Sequence, residues 1–123
     1  MRTFSLGDRI PSGSLKKGSV SDLATFGLSR RMIELLTGAL ARFPQIVDAR
    51  IFGSRSMGNF KNGSDIDMAI FGPELDEPTV RRLSTLLNEE LPIPHRVDVV
   101  WYDACDNEEL KAHIRAHGRR FLD

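Results

Sequence analysis

The run Ser64-Asp65-Ile66-Asp67-Met68-Ala69-Ile70-Phe71 constrains the fold more than any other part of the chain. It follows the turn signal Asn62-Gly63 and is closed by Gly72-Pro73, the punctuation of a strand. Alternate residues of an extended strand share a face, so Asp65 and Asp67 point one way while Ile66 and Met68 point the other. Ala69 shares the aspartate face but is small. Two carboxylates side by side repel one another, and a strand beside a core carries such a pair only where something neutralises it. A divalent cation is the expected neutraliser, and hard oxygen ligands suit magnesium.

The flanking sequence supplies layers for this strand. A helix is expected after Ser29, an N-cap residue, with Met32, Leu36, Ala39, Leu40 and Phe43 at helical spacing and Pro44 ending it. Val47–Phe52 alternates as a short strand, and residues 54–58 can form a helical turn. A second helix is expected from Pro78 to Glu90, burying Val80, Leu83, Leu87 and Leu91 and stopped by Pro92 and Pro94. Arg96–Trp101 reads as a third strand. Asn107–His117 reads as a last helix, burying Leu110 and Ile114 and capped by Gly118, with Phe121 and Leu122 as a short closing segment. The order α-β-β-α-β-α predicts an α/β (α+β) fold: a small mixed sheet flanked by helices.

At 123 residues the chain is expected to form one domain, with little left for a second, substrate-holding one. Residues 1–24 have loop composition and read as an extension, which Lys16 and Lys17 could bring to a partner; residues 25–123 read as the domain. Lys plus Arg and Asp plus Glu both number 17, so the formal net charge is zero, which argues against a dedicated nucleic-acid binder. A single cysteine, Cys105, allows no internal disulfide and reads as a bystander. The N-terminus lacks the apolar stretch of a secretory signal, and no apolar run approaches a membrane span. A cytoplasmic protein is the expectation.

Three further features bear on chemistry. Asp98 stands in the apolar strand Arg96-Val97-Asp98-Val99-Val100, where a carboxylate is costly unless paired or metal-bound. If this strand lies beside the second, Asp98 joins Asp65 and Asp67, and three carboxylates can hold two metals roughly 3.5–4 Å apart. Gly53-Ser54 suits a phosphate: glycine permits close backbone approach, and the Ser54 hydroxyl and the amides of a helical start add donors. Arg55 is placed to meet a triphosphate. Other roles stay open: Asp65 as a turn residue, Ser54 as an N-cap and Arg55 as a surface ion pair. His95, His113 and His117 read as solvent-facing or locally paired.

Gly53-Ser54, ten residues, then Asp65-Ile66-Asp67 resembles the G-S-x10-D-x-D signature of the DNA polymerase β-like nucleotidyltransferase superfamily. Phe52-Gly53-Ser54-Arg55-Ser56-Met57-Gly58 and Gly63–Ile70 look like its minimal nucleotidyltransferase branch, and Arg96–Val100 is similar to the strand bearing that family's third carboxylate. The resemblance runs from about Thr25 to the C-terminus. It implies a polymerase β-like fold and transfer of AMP from ATP with two Mg2+ ions. Asp65 and Asp67 would bind both metals and Asp98 the catalytic one, with Gly53 and Ser54 on the phosphates. It further implies an antitoxin role, with the acceptor a tyrosine hydroxyl of a helical HEPN-domain toxin. Two alternatives stand beside this: a small-molecule nucleotidyltransferase of the antibiotic-modifying kind, and an antitoxin that acts by binding alone.

Overall fold

In the computed structural model, which describes residues 25–61 and 63–121, a mixed sheet of four strands forms the middle layer. The strands are β1 (Asp48–Phe52), β2 (Ile66–Phe71), β3 (Val97–Trp101) and β4 (Arg119–Arg120), in the spatial order β3-β2-β1-β4. β1 runs antiparallel to both β2 and β4, whereas β2 and β3 are parallel. A parallel pair needs a crossover connection. Helix α3 (Glu77–Thr85), continued by a π-helical turn over Leu86–Glu90, provides it. The other helices are α1 (Arg30–Ala41), the single-turn α2 (Ser54–Met57) and α4 (Glu108–His117).

Alternation along the strands divides the interior in two. Ala49, Ile51, Ile66, Met68, Ile70 and Val97 pack with Met32, Leu36 and Leu40 of α1 and Leu83, Leu86 and Leu87 beyond β2. The opposite face carries a smaller cluster of Phe52, Ala69 and Ile114, so α4 covers only part of it. Asp67 and Asp98 lie at one end of that second face, where strands β2 and β3 begin.

Side chains close most helix starts. Ser29 accepts from the Met32 amide at 3.2 Å, Asp76 from Thr79 at 2.9 Å and Asn107 from Leu110 at 3.0 Å. Each satisfies an amide that has no partner within its helix. Gly118 ends α4 as expected but at φ −67°, so it is no left-handed cap. A Cβ there would press on the Ile114 carbonyl and the Arg50 side chain, and close packing is what demands the glycine.

Two sequence expectations needed correction. The closing segment is a strand: β4 pairs Arg119 and Arg120 with Ile51 and Arg50 of β1, two positions earlier than Phe121 and Leu122. Leu122 lies outside the described residues, as does the extension 1–24. The domain nevertheless uses Phe26 and Leu28, both buried in the main core. The second helix has the expected extent, but its last turn widens, with the Leu91 amide bonding the Leu86 carbonyl at 3.0 Å.

That turn carries Asn88 to the outer edge of β3. Its Nδ2 donates to the Val97 carbonyl at 2.9 Å, and its Oδ1 accepts from the Val97 amide at 2.8 Å. A side-chain amide thus occupies the place of a neighbouring strand and closes the sheet edge beside Asp98. Asn88→Ala leaves both Val97 groups without these partners and is expected to cost about 1–3 kcal/mol. Urea denaturation of the variant checks this, the midpoint falling at unchanged m value.

Candidate active site

Backbone register decides which carboxylates meet. Asp67 is opposite Asp98 in the parallel β2–β3 pair and opposite Phe52 in the β1–β2 pair. Asp65 stands just before β2 and is exposed. Burial first, then the charges of Asp98 and Asp65, push the Asp67 carboxyl above its ordinary value, with His113 acting in the opposite sense. The three aspartates therefore share one electrostatic neighbourhood. Among the described residues, however, no three Asp, Glu, His or Cys side chains converge closely enough to hold a metal ion.

Asp98 corrects the expectation of a carboxylate enclosed in an apolar strand. β3 is an edge strand, and the Asp98 side chain is 42 % exposed, bonded to Arg96 Nε at 2.9 Å. Residues 96 and 98 lie two apart on one face, so Arg96 supplies the cation that Asp98 faces.

The Gly53 turn lies against these carboxylates. Gly53 has φ 75° and ψ −150°, a region essentially reserved for glycine. A Cβ at Gly53 would strike Asp67 Oδ2. The backbone of the Gly53 turn is thus packed directly on the Asp67 carboxylate. Its carbonyl accepts from Ser56 Oγ at 3.0 Å and the Met57 amide at 3.2 Å, and its amide donates to His113 Nε2 at 3.2 Å. Ser54 begins α2 without capping it, since the N-cap is Gly53.

Arg55 departs from expectation. It is 3 % exposed, and its guanidinium donates to the Ser64 carbonyl at 2.9 and 3.2 Å and to the Phe26 carbonyl at 2.7 Å, beneath the Phe60 ring at 5.0 Å. The group expected to meet a triphosphate is committed to backbone carbonyls and joins the segment before α1 to the loop before β2. Burial lowers its pKa from the ordinary value.

Sequence reasoning missed His113. Its ring meets Phe52 edge-on at 5.9 Å and lies 4.9 Å from that of His117. The one local signal is its place beside the buried Ile114, at the margin of the covered face of α4. His95 is half-buried, and its Nδ1 is enclosed without a hydrogen-bond partner. Burial and then Arg55 lower its pKa, against Asp65.

This sheet, with the glycine turn packed on the aspartate strand, is that of a nucleotidyltransferase. The chain belongs to the polymerase beta nucleotidyltransferase family, whose pattern it matches over residues 34–123. Among solved structures it is similar to a toxin–antitoxin with AMP-PNP, at 24 % identity and a TM-score of 0.61, covering 73 % of this chain and 72 % of that one. It is also similar to a mutant of the toxin–antitoxin MntA–HpeT, at 22 % identity and a TM-score of 0.55, over 75 % of this chain and 70 % of that one. A third likeness is to the tri-AMPylated Shewanella oneidensis HEPN toxin in complex with MNT antitoxin, at 24 % identity and a TM-score of 0.51, covering 75 % and 66 %. At these identities the likeness establishes the fold. No curated protein matches the chain.

The elevated Asp67 pKa has a consequence for stability without divalent cations. A carboxyl whose folded pKa exceeds its unfolded value contributes stability fully present below the unfolded pKa, about 3.9, and lost as pH rises through the folded pKa. Asp67→Asn should therefore melt above the parent protein at neutral pH, with the advantage shrinking as pH falls toward 4. Melting curves in chelator across that range test this, and an advantage independent of pH contradicts the assignment.

Proposed function

We propose that the chain transfers AMP from ATP to a tyrosine hydroxyl of a helical HEPN-domain toxin, and so acts as its antitoxin. The observation that carries this reading is the in-register pair Asp67 and Asp98 with Gly53 packed on the Asp67 carboxylate. The family supports the reaction type, and the toxin–antitoxin neighbours support the partner. Zero net charge argues against nucleic acid as acceptor. The lone Cys105 fits a reducing, cytoplasmic setting.

The donor set is hard oxygen and suits Mg2+, and relief of the repulsion at Asp67 favours a cation there. Asp65 and Asp67 would hold two ions and Asp98 one of them, Asp98 first releasing Arg96. Bound magnesium supplies charge neutralisation for the attacking and leaving oxygens. The tyrosine oxygen attacks the α-phosphorus, a new P–O bond forms, and the bond to the β,γ-pyrophosphate breaks. Asp98 would accept the hydroxyl proton. Gly53 gives the phosphates close access to the backbone, and Ser54 donates to them. Arg55 holds the loop before Asp65 in place.

Intact mass of the co-purified partner, before and after incubation with Mg2+ and ATP, tests the proposal directly. A gain of one or more AMP units is expected. Asp65→Asn, Asp67→Asn and Asp98→Asn should each reduce that gain at least about 100-fold while the protein stays folded. A second reading, neutralisation by binding alone, is favoured by the lack of a converged three-ligand metal cluster among the described residues. It prevails if the partner is silenced without added mass and regains toxicity once separated.

We also infer that residues 1–24 are an extension outside the catalytic domain. Deleting them should leave Mg-ATP binding unchanged within about twofold and alter the urea midpoint little. An unfolded truncated protein overturns this boundary.

A further inference from the structure

We infer that His113 is a positioning residue for the reaction: its imidazole fixes the Gly53 peptide against Asp67 and thereby sets the shape of the turn that receives the triphosphate. The inference rests on the reading of Gly53, Ser54 and Asp67 given above.

Gly53 occupies a backbone region that costs energy and persists only where its surroundings hold it. Two of its restraints are local, from Ser56 Oγ and the Met57 amide to the Gly53 carbonyl. They fix one side of the residue alone. The other side is the amide, and a group sixty positions away in sequence takes it, His113 Nε2. The peptide before Gly53 therefore cannot rotate without breaking this bond. Since Gly53 leaves no room for a Cβ beside Asp67 Oδ2, a rotated turn would also disturb the carboxylate.

The imidazole is itself well placed for such a task. α4 is anchored by the buried Ile114 next to it, and the ring packs between Phe52 and His117. Phe52 precedes Gly53, so ring and backbone contacts converge on one peptide. To accept from Gly53, Nε2 must lack a proton, so the neutral ring carries it on Nδ1. The bond also uses up the Gly53 amide, and the phosphates must be met by other donors of the turn.

The test uses the full chain. At pH 8, 15N NMR should show His113 in the Nδ1–H tautomer and the Gly53 amide shifted by hydrogen bonding. His113→Phe keeps an aromatic ring but removes the acceptor, and His113→Gln keeps an acceptor. Mg-ATP titration by calorimetry should show affinity weakened about tenfold in His113→Phe, the scale of one net hydrogen bond, and largely restored in His113→Gln. KM for ATP should rise in the same order with kcat changed less. An Nε2–H tautomer in the unaltered protein, or a folded His113→Phe with parental affinity and an unmoved Gly53 amide, overturns the inference. If the unaltered protein binds no Mg-ATP, the nucleotidyl-transfer reading fails instead, and the tautomer and the Gly53 amide shift still decide the role of His113.

Discussion

Two carboxylates held opposite one another across a parallel strand pair are the constraint around which the rest of this small protein is arranged. Asp67 and Asp98 face each other because β2 and β3 run in the same direction and in that register. A slip of one residue would turn Asp67 into the main core and bring Ile66 or Met68 out of it. The large apolar cluster beneath the sheet, with Ile66, Met68, Ile70 and Val97 at its centre, thus fixes the placement of charge on the other face. Packing energy on one side holds electrostatic repulsion on the other.

The cations near the site divide the work. Arg96 is exposed and pairs with Asp98, an interaction in high dielectric that contributes little to stability and exchanges readily. Arg55 is buried and, among the described residues, meets carbonyl oxygens and the face of Phe60 rather than a carboxylate. A buried guanidinium without such partners would be costly. With them, it ties together three stretches of chain: the segment of Phe26, the turn of α2 and the loop before β2. The positive charge close to the aspartates is therefore partly structural and partly exchangeable.

Most of the architecture was legible because periodicity is local. The stripe Met32, Leu36, Ala39, Leu40 specified α1, and alternation in Ile66–Phe71 specified both faces of β2. The meeting of Asp67 with Asp98 follows from the pattern once the two strands are neighbours. What escaped was non-local. β4 has only Arg119 and Arg120, too short to show a period. Arg55 sits next to Ser54 in sequence, yet its partners are carbonyls of Phe26 and Ser64, whose chemistry is identical in every residue. His113 looked like any helical histidine, since its partner is a glycine amide on another element. The exposure of Asp98 depended on β3 being an edge, which strand order alone decides.

The π-helical turn after α3 makes this part of the chain intolerant of length change. A wider turn holds one residue more than an α-helix would, and each helical residue advances the chain by roughly 100°. Loss of a single residue between Leu86 and Glu90 would restore ordinary helix, but it would swing Asn88 a quarter-turn or more away from Val97. Compensation elsewhere in α3 could rescue the apolar stripe or the Asn88 contact, not both. The segment has no chemistry of its own, yet its residue count sets the alignment of the strand that bears Asp98, as a fixed number of teeth sets the phase between two gears.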